Sequence, residues 1–297
     1  YTQVFITVDC SCSGTSIFNS WRRYLNGARL TNVVGSDEPQ DIYIAVWNEM
    51  KRIAKPNTFR ANQIKRLEDT GLIRKMMKST YVPAQYSSSA NEQERRLRYF
   101  NDYTLTPAKL NFTVEEMNVL YKLWHIALDE VSSMSTVIGW FQARAKELIE
   151  RGDKTIRFTN SVGSVMTQGY FLEGRRKVTT FHHGSTTLLI ESNYNYYTDK
   201  VDTRKVLGAI TANITHLTDA SALCEALWNY EGLFATIHDA VGFPPSQKLD
   251  GGIERLKDGF IKATSHNVWQ QFCLDNHLAI DPQTPPPVVG DLDLELI

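Results

Sequence analysis

Two aspartates separated by most of the chain stand in the settings that phosphoryl chemistry asks of a carboxylate. Asp9 closes the apolar, β-branched run Val4, Phe5, Ile6, Val8 in VFITVDCSCSG, a pattern that predicts a short buried strand ending on an acid beside small, permissive residues. Asp239 stands in LFATIHDAVGF, Leu233 to Phe243, next to His238 and shortly before Gly242, the pattern of a β-hairpin with its acid at the turn. Two carboxylates on adjoining strands can grip a pair of divalent ions roughly 3.5–4 Å apart, an arrangement that activates a hydroxyl and steadies a leaving phosphate. Taken singly, each is equally an ordinary strand-end aspartate. A third stretch adds cations. In LIRKMMKSTYVPAQYSSS the residues Arg74, Lys78 and Tyr86 are spaced by four and eight, which sets them on one broad face of a helix with the phenol two turns beyond the charges. The planar fork of Arg and the compact charge of Lys suit a triphosphate and its leaving pyrophosphate. The same spacing is common in purely structural helices.

The elements that must position these residues can be read from periodicity. Thr15 to Leu25 predicts a helix with Gly27 just past its end, Thr31 to Pro39 a loop, and Asp41 to Ile53 a helix burying Ile42, Tyr43, Val46, Met50 and Ile53. Arg60 to Glu68 is a polar helix and Glu92 to Phe100 a charged one. Pro83 interrupts the helix that begins at Leu72 and predicts a kink there. Val114 to Glu150 holds two amphipathic helices whose aromatic stripes belong to a core. Ile156 to Phe171 is extended, with Gly163 and Gly169 marking turns, and Arg175 to Ile190 is further strand. His182 and His183 lack a third ligand and read as structural or exposed. In NITHLTDASAL, His216 and Asp219 read as a helix-start cap and a core polar pair, or as groups reaching a nucleotide's minor edge; the pattern leans structural. Ile253 to His277 predicts one long helix, and Pro282 to Pro287 ends regular structure before GDLDLELI.

Composition bounds the rest. The 297 residues are 42% hydrophobic and 22% charged, ordinary values for a globular chain of one large or two smaller domains. No apolar run approaches the roughly 20 residues that span a bilayer and no basic-then-apolar leader opens the chain, so the expectation is a cytoplasmic protein with no membrane partner. Cys10, Cys12, Cys224 and Cys273 fit neither a disulfide framework nor a structural zinc site. Net charge is −1, yet twelve lysines and arginines stand against four acids between Lys51 and Arg98. That concentration predicts either a footprint for phosphates or a solvated helical face.

In this order the motifs resemble the single-subunit RNA polymerases of bacteriophages and mitochondria, relatives of the family A DNA polymerases. DCSCSG with Asp9 is similar to their motif A, Arg74, Lys78 and Tyr86 to motif B, and IHDAVG with Asp239 to motif C; QDIY at Gln40 to Tyr43, THLTDAS around His216 and the terminal GDLDL extend the likeness over nearly the whole chain. The resemblance implies an α+β right-hand fold, with an antiparallel palm sheet over 1–45 and 181–297 and mostly helical fingers over 46–180. It implies that Asp9 and Asp239 bind two Mg²⁺ ions, with Cys10 adding a backbone carbonyl. Arg74 and Lys78 would hold the triphosphate, Lys78 also serving the leaving group. Tyr86 and His216 would sense the ribose 2′-hydroxyl and the minor groove, and Tyr43 would line the template-base pocket. The implied partners are a DNA template, nascent RNA and ribonucleoside triphosphates, and the implied setting is the cytoplasm of a phage-infected bacterial cell.

Gly14 stands where the DNA polymerases carry a Glu that crowds the 2′-hydroxyl, and Ala240 where they carry a Glu after the motif C aspartate; both differences favour RNA. Ser87 replaces the glycine that usually follows the tyrosine. The chain opens on Tyr1, eight residues before Asp9, so the thumb, the promoter-binding region and the upstream phosphate-contacting residues are expected elsewhere. They would lie either in the rest of one long polymerase or, the favoured alternative, in a second subunit of a split enzyme. Two rivals are a family A DNA polymerase fragment, opposed by Gly14 and Ala240, and a catalytically silent nucleic-acid-binding assembly subunit, opposed by the retention of Asp9, Asp239, Arg74 and Lys78.

Overall fold

Apolar residues at helical spacing build most of the molecule, and three small antiparallel sheets carry the remainder. The computed structural model describes residues 5–10, 12–105, 112–181, 189–238, 240–247, 251–290 and 292–293, with backbone alone for 178–181 and 189–192. Strand β1 (Ile6–Val8) leads into α1 (Ser13–Arg22), α2 (Leu25–Leu30), α3 (Ile42–Ala54), α4 (Phe59–Glu68), α5 (Ile73–Gln85) and α6 (Ala90–Phe100), which runs on into a π-turn at Asn101–Leu105. Next come α7 (Val114–Ser132), α8 (Met134–Arg151), the hairpin β2 (Ile156–Thr159) and β3 (Val165–Gln168), and the long ribbon β4 (Phe171–Phe181) and β5 (Leu189–Val201). The chain finishes with α9 (Thr203–Leu227), β6 (Ala235–Ile237), β7 (Ala240–Phe243), the single turn α10 (Pro245–Gln247), α11 (Ile253–Ser265) and α12 (Val268–Asp275). The mixture of helix and antiparallel sheet is the α+β class expected.

One core runs through the helices. Trp21 of α1, Trp140 and Phe141 of α8 and Trp269 and Phe272 of α12 interlock, with Phe141 and Trp269 stacked at 5.2 Å and Trp140 edge-on to Trp269 at 4.9 Å. Each such side chain contributes roughly 1.5–3 kcal/mol by leaving water. The Trp269 indole N–H donates to the Trp21 carbonyl at 3.3 Å, so this core tryptophan has its polar edge satisfied. Helix ends follow local chemistry: Thr113 and Glu116 close a capping box on α7, and Asp41, Ser89 and Asn267 cap α3, α6 and α12. Where α9 meets α11, a Cβ on Gly259 would lie 2.4 Å from the Ala222 carbonyl, so only glycine permits that approach.

Several expectations are revised. The run before Asp9 forms a strand, but an exposed one, with Phe5 and Ile6 each 39% accessible, because β1 is an edge strand and burial falls on its neighbour β7. The first helix begins at Ser13 and stops at Arg22, where Arg23 turns left-handed, and Gly27 falls within the following short helix α2. Pro83 does not interrupt α5; it lies in the last turn, where the helix continues to Gln85 although the ring supplies no N–H to the preceding turn, and its carbonyl accepts from Tyr86 and Ser88. His216 and Asp219 lie in the middle of α9, neither at its start nor in the core. The long C-terminal helix is two helices, broken where His266 turns extended and Asn267 caps α12. The basic stretch is not a bare patch, since Lys51, Arg52, Arg66, Arg74, Arg95, Arg96 and Arg98 all pair with carboxylates. His182 and His183 lie outside the described residues.

Candidate active site

The sheet that carries the two aspartate motifs has the order β1, β7, β6, all antiparallel. Val8 pairs with Val241 and Ile237 with Ala240, so the end of β1 lies alongside the start of β7 and a two-residue connection joins β6 to β7. Asp9 follows Val8. Asp239 itself lies outside the described residues; His238 before it has φ 57°, the left-handed backbone of a tight turn.

Asp9, Cys10, Tyr43, Arg74 and Lys78 line a single cavity of about 190 Å³ together with Asp41. Three segments meet there: the β1 end, the α3 start and two successive turns of α5. Asp41 was given no role by the sequence reading, although an Asp directly before an apolar-periodic helix was a signal for a cap. Its Oδ1 accepts from the Tyr43 and Ile44 amides at 2.9 and 3.3 Å, while its Oδ2 accepts from Arg74 Nε at 2.5 Å. The guanidinium also lies 5.4 Å from the centre of the Tyr43 ring. Bonding to Asp41 raises the Arg74 pKa, and burial raises that of the Tyr43 phenol, so one is firmly cationic and the other neutral. The cavity is thus lined by two cations of α5 together with Asp9 from the end of β1.

Cys10 turns its thiol toward Ser16, with 3.8 Å between Sγ and Oγ. Loss of solvent, reinforced by the charges of Asp219 and Asp9, pushes that thiol up to about 12. The Cys10 carbonyl is the hard oxygen donor that this residue can offer a magnesium ion. Carboxylates and a carbonyl are hard oxygen donors of the kind Mg²⁺ prefers, completed by substrate phosphates and water; among the described residues no three His, Cys, Asp or Glu side chains form a closed cage. Asp9 and the Cys10 carbonyl fit such an ion.

Asp9 and Cys10 also line a neighbouring recess of about 410 Å³ that reaches Asp219 on α9, and Asp219 in turn lines one of about 390 Å³ with Tyr86, His216 and His238. The three recesses adjoin through Asp9 and Asp219. Tyr86 and His216 face each other with ring centres 4.7 Å apart, so residues 130 positions apart in sequence are brought together. Ser13 donates to Asp219 Oδ2 at 3.2 Å, tying α9 to the first turn of α1. Gly14 is buried in that same turn, and the room beside it, expected to be open, is occupied by the side chain of Gln85. Ser87, in the position of the missing glycine, adopts φ 61°, a left-handed conformation that glycine would take without strain.

A second feature was not foreseen. The β4–β5 ribbon presents Arg175, Arg176 and Lys177 on one strand opposite Asn195, Tyr194 and Asn193 on the other, with Tyr194, Tyr196 and Tyr197 exposed. Cations interleaved with exposed aromatics suit a nucleic-acid backbone and its bases. The alternation of Tyr and Asn in ESNYNYYTDK was the available signal. A recess of about 470 Å³, lined by Gln168, Tyr170, Asn213 and His216, shares His216 with the recess around Tyr86.

A strand-end carboxylate that lines one cavity with an arginine and a lysine of a helix, in a chain of mixed helix and antiparallel sheet, is an arrangement suited to handling phosphates. The chain belongs to the DNA-dependent RNA polymerase family, whose model matches residues 1–279. It is 26% identical over 320 residues to the mitochondrial DNA-directed RNA polymerase 1 of Arabidopsis thaliana, covering 100% of this chain and 31% of that protein. It is 23% identical over 317 residues to the chloroplastic/mitochondrial DNA-directed RNA polymerase 2 of the same plant, covering 100% and 30%. To the human mitochondrial DNA-directed RNA polymerase it is 25% identical over 238 residues, 78% of this chain and 19% of the relative. The chain spans less than a third of the length of these relatives, which are organellar enzymes. Among the described residues no helix is long and apolar enough to cross a membrane.

Proposed function

We propose that this chain is the catalytic part of a DNA-directed RNA polymerase, adding ribonucleotides to an RNA 3′-end along a DNA template. The observation that carries the reading is the shared cavity of Asp9, Cys10, Tyr43, Arg74 and Lys78, residues from three separate motifs. On this reading 1–45 and 181–297 form a palm, and 46–180 form fingers that present α5. Asp9 and Asp239, with the Cys10 carbonyl, would hold two Mg²⁺ ions, which when bound lower the pKa of the attacking hydroxyl and neutralise the leaving pyrophosphate. Arg74, anchored by Asp41, orients the triphosphate, and Lys78 supplies charge or a proton to the departing oxygen. Tyr43 borders the template-base pocket. Tyr86 and His216 form the wall against which the sugar is read, and the ribbon from β4 and β5 grips nucleic acid.

The reading also supplies a reason for the bare sheet. Phe5, Ile6, Leu233, Phe234 and Ile237 on or beside β1 and β6 are large, apolar and exposed, an apolar surface suited to covering by the remaining polymerase, in a second subunit or a further segment. The test is template-dependent extension with Mg²⁺ and either ribo- or deoxynucleoside triphosphates, using the chain with its complementing polymerase part. Ribonucleotide incorporation lost in both Asp9→Asn and Asp239→Asn is expected. Deoxynucleotide preference would point to a DNA polymerase, and undiminished synthesis in either variant would remove the assigned acids from the reaction.

A further inference from the structure

The contact between Gly14 and Gln85 joins the two motifs that govern the sugar. A Cβ on Gly14 would lie 3.0 Å from Cδ and 3.1 Å from Oε1 of Gln85, so the carboxamide fills the notch the glycine leaves. Gln85 is 2% exposed and ends α5. Its Oε1 accepts from Cys12 Sγ at 3.1 Å and from Thr15 Oγ1 at 3.1 Å, and Thr15 Oγ1 lies 3.0 Å from the hydroxyl of Tyr81, one turn earlier on α5. One buried oxygen therefore takes two donors from the start of α1. The next residue in the chain is Tyr86, whose ring meets His216, and the same first turn of α1 holds α9 through Ser13 and Asp219. Both members of the Tyr86–His216 pair are thus positioned from one turn of helix, and Gln85 is the link on the Tyr86 side.

We propose that Gln85 is a positioning residue for sugar selection. It rests on the polymerase reading and on Tyr86 as the group that meets the ribose. Buried behind Tyr86, Gln85 has no route to substrate; it fixes the distance between the motif A turn and the phenol, so that a hydroxyl on C2′ meets Tyr86 and His216 at bonding distance. Its shape and its acceptor are separable. Methionine keeps the bulk over Gly14 but accepts no hydrogen bond of comparable strength, glutamate keeps both, and alanine keeps neither while leaving room for a methyl group on residue 14.

The experiment compares Gln85→Met, Gln85→Glu, Gln85→Ala, Gly14→Ala and the double variant Gly14→Ala with Gln85→Ala, in the complex that extends RNA. The readouts are kcat and KM for ribo- and deoxynucleoside triphosphates, equilibrium binding of non-hydrolysable ribo and deoxy analogues, and Tm. Expected is a fall of about tenfold in the ribose preference of Gln85→Met, the scale of one lost hydrogen bond, carried by a higher ribonucleotide KM with kcat within about twofold. The glutamate variant should keep the wild-type ratio, and the double variant should recover Tm relative to Gly14→Ala alone. Equal losses for both sugars in Gln85→Met, or an unchanged ratio in a folded variant, would overturn the proposal. If the wild-type complex makes no RNA, the polymerase reading fails on its own, and the analogue titration still decides whether Gln85 sets a ribose preference.

Discussion

Phe141 and Ile237 are both large apolar side chains on regular elements, yet Phe141 is wholly buried while Ile237 is 67% exposed. The difference separates two regions of the molecule. The helical region around α3, α5, α7 and α8 closes on itself, filling its centre with tryptophans and phenylalanines and capping α3 and α7 with its own side chains. The sheet of β1, β7 and β6 does not; β7 is covered, but β1 and β6 lie open on either side of it. Stability is thus concentrated in the helices, while the acid at the end of β1 is carried on the open margin of the sheet. The cleft lies where the two regions meet, with cations supplied from the stable side and Asp9 from the open side.

That division can be broken in several ways, beginning with the largest effect. Asp9→Asn should reduce RNA synthesis by about a thousandfold, the loss of several kcal/mol of metal-assisted stabilisation, with Tm unmoved; a shifted Tm would mean that Asp9 is part of the framework after all. Phe141→Ala should cost about 3–5 kcal/mol in denaturant unfolding of the chain, whereas Ile237→Ser should stay within about 0.5 kcal/mol, and comparable losses at both sites would erase the distinction. Asp41→Ala should combine a lost cap of about 1 kcal/mol with a nucleotide KM raised roughly tenfold, while Asp41→Asn keeps the cap and shows the KM effect alone. Ser87→Gly should stabilise the chain by about 1 kcal/mol through relief of the left-handed backbone, measured as a higher unfolding midpoint. The smallest effect concerns pH. The Cys10 thiol is raised from 9.0 to about 12 in the fold, so the unfolded chain releases that proton first and stability declines as pH rises above 9. Both Cys10 and Cys224 are exposed residues, and iodoacetamide at pH 8.5 should accordingly label Cys224 faster because the Cys10 thiol is held protonated, as read by peptide mass spectrometry.

Much of this was legible in the chain. The bounds of α3 and α4, the break between α7 and α8 and the hairpin around Gly163 follow from hydrophobic period and turn residues, which act over a few positions. The grouping of Asp9, Arg74 and Lys78 was legible only through the order of three motifs, since spacing alone is shared by many structural helices. The burial of β1 was misjudged because a β-branched run signals a strand whether its faces are covered or bare. The split at Asn267 was missed because the apolar period carries across it.

Residue type and order therefore determined where helices and strands form, which side chains carry charge, and the polymerase family to which the chain belongs. Only the tertiary structure decided that Asp41 anchors Arg74, that Tyr86 meets His216 and that Gln85 fills the notch at Gly14. Those contacts join residues 33, 130 and 71 positions apart. Local sequence sets the backbone of each segment, but such distances are closed by packing the whole chain, where the fit of one side chain depends on volumes and hydrogen-bond partners contributed by all the others.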